Sequence, residues 1–314
     1  MMSPANPFHP ALSRRGALRL AAASLASLAL SGGRATGAEP MSTRPMPSTG
    51  EAIPVVGVGT WQTFDVGGTA AERGPLREVL RVFFDAGGSV IDSSPMYGRS
   101  ERVVGDLLAA MNPARRPFLA TKVWTGGREA GIAQMRESMR RMRTETMDLM
   151  QVHNLVDWRT HLATLRDWKE AGTVRYVGIT HYTESAFDDL AHIMQSERID
   201  TVQLPYSIGV RAAEDRLLPI AAERGIAVIV NRPFEGGGLF RTVRSTPLPG
   251  WAAEIDCTSW AQLFLKFILA HPAVSCVIPG TGKVAHALDN VAAGRGRLPD
   301  EAQRRRLIRH LADL

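Results

Sequence analysis

Four ionisable residues of different chemistry, Asp92, Tyr97, Lys122 and His153, stand where short apolar runs stop. Ser89-Val90-Ile91-Asp92, Phe118-Leu119-Ala120-Thr121-Lys122 and Met147-Asp148-Leu149-Met150-Gln151-Val152-His153 each read as a buried parallel strand ending on an ionisable group. Tyr97 follows Asp92 by five residues, on the next loop. If these strands share one barrel, a carboxylate, a phenol, an ammonium and an imidazole converge at its carboxyl-terminal mouth, where such barrels do chemistry. Taken singly, an Asp at a strand end is usually an ion-pair partner, a Tyr packing and a strand-end His a satisfied core residue. The conjunction of four types at or just beyond strand ends is what points to a reaction centre.

The elements that must position them alternate along the chain. Strand-like runs fall near 55–59, 89–92, 118–122, 147–152, 174–179, 200–204, 226–230 and 274–278. Helical patterns lie between and after them, near 75–86, 100–110, 129–142, 158–171, 184–195, 214–224, 257–270 and 283–293, and a further basic helix near 299–311 packs outside the ring. Gly87, Gly172 and Gly225 each follow a helical pattern and precede a strand, as a left-handed residue after a helix requires. Eight alternations over about 240 residues predict an α/β chain folded as a (β/α)8 TIM barrel. An N-terminal β-hairpin with its tip at Ser48-Thr49-Gly50-Glu51 leads into it. A doubly wound open sheet is the alternative, but its Gly-rich first turn is missing: Gly57-Val58-Gly59-Thr60-Trp61-Gln62 lacks the third glycine of a dinucleotide fingerprint. The long connection from Asn231 to Asp256, with Gly236-Gly237-Gly238, is either a cofactor clasp or a surface insertion.

The chain has 314 residues and a formal charge of +6. Four of its 37 basic residues, Arg14, Arg15, Arg19 and Arg34, lie in the first 38 positions, where no acid occurs. The remainder carries 33 bases against 31 acids, so the charge gives no argument for a nucleic-acid partner. In that first segment, Ser13-Arg14-Arg15-Gly16-Ala17-Leu18-Arg19 precedes the apolar run Leu20 to Leu30 and a small-residue stretch ending Thr36-Gly37-Ala38, the order of a secretion signal. The run is too short to span a bilayer, which takes about 20 residues. The paired arginines resemble a twin-arginine signal, with Ala17 where that pattern prefers Phe. The expectation is an export signal over 1–38, handled by the twin-arginine machinery, a partly mobile linker over 39–47, and a periplasmic barrel over 48–314 with no stable membrane insertion. Of the two cysteines, Cys276 sits in the apolar run Ala273 to Ile278 and reads as a buried thiol; neither has the spacing of a metal site.

The stretch Asp92 to Glu101, Asp-Ser-Ser-Pro-Met-Tyr-Gly-Arg-Ser-Glu, is similar to the aldo/keto reductase pattern of an Asp followed five residues later by Tyr-Gly and then Ser-Glu. Phe118 to Trp124 resembles that family's lysine strand, Asp148 to His153 its histidine strand, Gly178-Ile179-Thr180-His181 its Gly-x-Ser-Asn turn, and Ile278 through Asn290 its nucleotide-phosphate segment. The resemblance implies reduction of a small-molecule carbonyl substrate with NADPH, or with NADH. Hydride added to a carbonyl carbon leaves charge on oxygen, which needs a proton donor and oriented dipoles. Tyr97 would donate the proton, Lys122 would lower its pKa by favouring phenolate, Asp92 would anchor Lys122, and His153 would orient the substrate oxygen or assist proton transfer. Thr60, Thr180, His181, Gln203, Asn231, Gly280, Thr281, Lys283, His286 and Asn290 fall on cofactor positions. Several depart from the pattern: His181 replaces an amide, Asn231 a stacking tyrosine, and Gly280 and His286 the Lys and Arg that grip a 2′-phosphate. Trp61, Met96 and Trp124 would wall the substrate pocket. Two other readings use the same residues: a nicotinamide-binding barrel with little turnover that serves as a redox-responsive subunit, and an isomerase or aldolase with Lys122 as Schiff base. The second needs a depressed lysine pKa, which Asp92 opposes.

Overall fold

The computed structural model describes residues 39–314, so the export-signal reading of 1–38 lies outside the described residues. Eight strands form one parallel sheet in sequence order: β3 (Val58–Gly59), β4 (Val90–Asp92), β5 (Phe118–Val123), β6 (Met147–His153), β7 (Val174–Thr180), β8 (Thr201–Pro205), β9 (Ala227–Asn231) and β10 (Val274–Val277). Parallel bridges from Val56 to Val277 and from Gly59 to Gly280 join the first strand to the last and close the barrel. Helices follow the strands outside, as expected of a (β/α)8 barrel, and Glu301–Ala312 is the extra C-terminal helix.

Close backbone approach explains the two early glycines. A Cβ on Gly59 would stand 2.8 Å from the Ile278 carbonyl oxygen at the closing seam, and one on Gly57 would stand 2.9 Å from the Val90 carbonyl oxygen of neighbouring β4.

β1 (Thr43–Pro45) and β2 (Ala52–Pro54) pair antiparallel, so the hairpin draws on residues the sequence reading gave to the linker. Met46 and Ile53 from this hairpin are buried with Val90, Phe118, Leu149, Tyr176, Ile229 and Cys276 in one apolar cluster, so the hairpin plugs the amino-terminal end of the barrel. A second, larger cluster fills the space between sheet and helices. Both cysteines are buried free thiols, as expected for Cys276.

Side-chain caps start three of the described helices, at Thr69, Ser259 and Asp300. Helix Ala70–Asp85 begins five residues before the expected 75, because Thr69 and Glu72 form a capping box upstream of Pro75. Gly87, Gly172 and Gly225 all have the positive φ anticipated for them. The connection after β9 is ordered, with turns of helix at Glu235–Gly237, Gly238–Thr242 and Gly250–Ile255.

Candidate active site

Side chains along a strand alternate between the barrel interior and the helix-facing side, so a strand that places an apolar residue in the inner cluster places the residues two and four further on above it. From Val90 this leads to Asp92, from Phe118 to Ala120 and Lys122, from Leu149 to Gln151 and His153, and from Ile229 to Asn231. The barrel is thus apolar at the hairpin end and polar at the other. The polar layer is one hydrogen-bonded unit. Lys122 Nζ donates to Asp92 Oδ2 at 2.6 Å and to the Ser93 carbonyl at 2.7 Å, with both ionised side chains almost wholly buried. Asp92 Oδ1 accepts from Gln203 Nε2 at 2.9 Å and from Gln151 Nε2 at 3.1 Å. The Asp92 carboxylate is therefore held by a cation and two amides, which a buried charge requires.

Tyr97 reaches this layer from the loop after β4, where its backbone N–H closes a turn onto the Ser94 carbonyl at 3.0 Å. Lys122 Nζ lies 5.1 Å from the centre of its ring, and the His153 imidazole meets that ring edge-on with centroids 6.0 Å apart. The four residues of the opening therefore do converge. Burial raises the Tyr97 phenol above its ordinary pKa; Lys122 pulls it down by its charge and its hydrogen bond, while Asp92 adds to the rise. Lys122 thus acts in the expected direction, but burial of the ring, with Asp92 adding to it, outweighs that influence. Tyr97 is consequently protonated at neutral pH, the form a donor needs. Burial acts to depress the Lys122 pKa, but Asp92 and Tyr97 outweigh it and leave the ammonium above its ordinary value. A Schiff-base nucleophile would need the opposite.

Burial, then the Lys122 charge, then His181, push the His153 pKa down to about 3, so this imidazole stays neutral through the physiological range. Unfolded, it would titrate near its ordinary 6.5. Between those values the unfolded chain binds a proton that the folded chain does not. His153 therefore supports stability fully above pH about 6.5 and progressively less as pH falls toward 3. We expect His153→Gln to lose less stability than the wild type between pH 7 and pH 4 in urea titrations; equal losses would show that the native ring titrates as it does in the unfolded chain.

The ends of β7, β8 and β9 carry the expected cofactor residues. Thr180 Oγ1 donates to Gln203 Oε1 at 3.1 Å, and Asn231 Nδ2 donates to the His181 carbonyl at 3.1 Å. The Thr183 N–H donates to His181 Nδ1 at 3.2 Å, which leaves the proton of a neutral His181 on Nε2. Asn231 Oδ1, by contrast, is buried without a partner. A donor on His181 beside an unmet acceptor on Asn231 matches the two ends of a carboxamide, so these residues fit a nicotinamide ring. The His181 ring lies flat against Tyr182, with ring centroids 5.4 Å apart and planes 1° from parallel. Thr60 is buried beneath the mouth, its Oγ1 donating to Ser93 Oγ at 2.9 Å or to the Asp92 carbonyl at 3.0 Å. Thr281 Oγ1 accepts from the Lys283 N–H at 3.1 Å at the start of helix Val284–Ala292. Lys283 and His286 are exposed there, whereas Asn290 is buried in that helix. Gly280 is exposed beside the seam, where a Cβ would stand 3.1 Å from the Gly59 carbonyl oxygen.

Trp61, Met96 and Trp124 are 48%, 40% and 41% exposed, and the Trp124 ring is 6.3 Å from that of His153. They follow the carboxyl-terminal ends of β3, β4 and β5. Clefts of about 490 and 830 Å³ open instead beside the hairpin, at the amino-terminal end of the barrel. Lys169, which lines both, and Arg175 are ion-paired with Asp200 and Asp148, each at 2.6 Å, and neither cleft is lined by Asp92, Tyr97, Lys122 or His153. Sequence reasoning missed Gln151, Ser93 and Ser94 as site residues. For Gln151 a signal existed, since it lies two residues before His153 and so faces the same side of β6.

The model of the aldo/keto reductase family matches residues 55–305, and the chain belongs to that family. It is 27% identical to the methylglyoxal reductase YeaE of Escherichia coli K12 over 77% of this chain and 85% of that protein. It is 28% identical to the NADH-specific methylglyoxal reductase of the same organism, over 73% and 78%. Among solved structures, an aldo/keto reductase from Klebsiella pneumoniae in complex with NADP and acetate superposes with a TM-score of 0.70 at 26% identity, covering 82% of this chain and 93% of that one.

Proposed function

We propose that this protein reduces an aldehyde or ketone to the alcohol with NADPH, with Tyr97 as the proton donor. The observation that carries the reading is the buried contact of Asp92, Lys122 and Tyr97 beside a neutral His153 at the barrel mouth. When bound, the nicotinamide supplies a hydride to the carbonyl carbon. His181, Asn231, Thr180 and Gln203 would hold its carboxamide. As charge develops on the substrate oxygen, Tyr97 gives up its proton and Lys122 stabilises the phenolate left behind. Asp92, Gln151 and Gln203 keep Lys122 from moving, so this stabilisation needs no rearrangement during the reaction. Trp61, Met96 and Trp124 give the mouth apolar walls that suit a carbonyl with a hydrophobic body.

NADPH is favoured over NADH because Lys283, with His286 one turn on, is a cation at the start of a helix where a phosphate would sit. The NADP-bound Klebsiella structure supports this choice, and the NADH-specific relative marks the alternative. The protein should oxidise NADPH in the presence of an aromatic aldehyde. Binding of NADPH without turnover across a broad panel of carbonyls would instead make it a nicotinamide-binding subunit.

Export to the periplasm through the twin-arginine machinery is the reading of residues 1–38, supported by Arg14, Arg15 and the short apolar run after them. Among the described residues no helix is long and apolar enough to cross a membrane. Replacing Arg14 and Arg15 together with lysine should leave the precursor in the cytoplasm on fractionation; unchanged export would refute this route.

A further inference from the structure

Ser94 is fully buried directly below the mouth, and its Oγ lies 3.1 Å from His153 Nδ1. We propose that Ser94 is a positioning residue: its hydroxyl donates to Nδ1 and so holds the neutral imidazole in the form protonated on Nε2. His153 then donates a hydrogen bond to the substrate oxygen and does not exchange protons with it. The inference rests on the carbonyl-reductase reading above and specifies what one residue of that site does.

The direction of the Ser94–His153 bond follows from counting donors. The Met96 backbone N–H, 3.4 Å from Ser94 Oγ, can only donate, so it occupies one of the oxygen's acceptor positions. If Nδ1 also carried a proton, Ser94 Oγ would accept twice and its own hydrogen would have no acceptor among the described residues. In a buried site that leaves a donor unmet, whereas donation to Nδ1 satisfies both the hydroxyl and Nδ1 and leaves the Nε2 proton for the substrate. The ring is neutral, as its depressed pKa requires, so it has one proton to place and Ser94 places it.

Ser94 is itself fixed by the turn that builds the rest of the site. Its carbonyl accepts the Tyr97 N–H, and the carbonyl of the preceding Ser93 accepts Lys122 Nζ. The segment from Asp92 to Tyr97 therefore supplies the anchoring carboxylate, a seat for the ammonium, the tautomer of the imidazole and the proton donor.

Histidine ¹⁵N NMR of the cofactor-free protein tests this without reference to turnover, with the His153 signals assigned by their loss in His153→Gln. The wild type should show Nε2 protonated and Nδ1 bare. Ser94→Ala should give a mixture of the two tautomers and lower kcat/KM for an aldehyde by roughly tenfold, the effect of one lost hydrogen bond of about 1.4 kcal/mol. Ser94→Thr, which keeps the hydroxyl, should retain the wild-type pattern in both measurements. A wild type protonated on Nδ1, or a Ser94→Ala spectrum unchanged from wild type, would overturn the proposal. If Ser94→Ala fails to fold, the wild-type spectrum alone decides. A wild type with the expected tautomer but no carbonyl turnover would overturn the functional reading and uphold the role of Ser94 in fixing the ring.

Discussion

Tyr97→Phe should lower kcat for carbonyl reduction by about 10²–10⁴-fold while leaving NADPH affinity nearly unchanged. The size of the loss follows from what surrounds the phenol. Once it is gone, the neighbouring groups are poor substitutes. His153, neutral with a pKa near 3, would have to become an imidazolate to give up a proton. Lys122 is held by Asp92 and the Ser93 carbonyl with its pKa raised, so it retains its proton. The cofactor contacts proposed for His181, Asn231 and Gln203 do not involve the phenol, so fluorescence titration with NADPH should give a dissociation constant close to the wild type's. Retained turnover in this variant would remove Tyr97 as the donor.

Lys122→Met should have the largest combined effect on stability and activity. Methionine fills much the same volume, but it leaves the Asp92 carboxylate buried with only the Gln151 and Gln203 amides as partners. Removing one member of a buried ion pair costs about 3–5 kcal/mol, which for a chain of this size lowers the melting temperature by on the order of 10 °C. Turnover should fall at the same time, since a phenolate forming at Tyr97 would face a bare carboxylate rather than an ammonium. The double replacement Lys122→Met with Asp92→Asn removes the stranded charge. It should recover most of the melting temperature while remaining inactive. Recovery of both together would mean that the pair serves only the fold.

What could be read in the sequence was the layout of the barrel and the identity of its ionisable centre. Parallel strands buried on both faces appear as short apolar runs, and Asp, Lys and His together at the ends of such runs, with Tyr97 on the next loop, mark a reaction centre that none of them marks singly. Less legible were the groups that do not titrate. Gln151 sits inside the histidine strand and Ser94 inside the tyrosine loop, and nothing in their type separates a hydrogen-bonding partner from an ordinary polar residue. The helix at Ala70 starts early because a capping box of Thr69 and Glu72, three residues apart, sets its first turn upstream of Pro75. The connection after Asn231 holds three short helical turns that a run of three glycines conceals. Sequence also could not weigh opposing influences on one group. The pKa of Tyr97 depends on how deeply the ring is buried and on how close Asp92 lies to Lys122, and both are properties of the folded chain.

The central claim is that this barrel delivers hydride to a carbonyl carbon while Tyr97 protonates the oxygen, and mass spectrometry of the product tests it most directly. With NADPH deuterated at the transferable position of the nicotinamide and an aromatic aldehyde as substrate, the account predicts one deuterium on the carbinol carbon for each cofactor oxidised. Cofactor oxidised with no deuterium in the alcohol, or substrate trapped on Lys122 by borohydride, would contradict it.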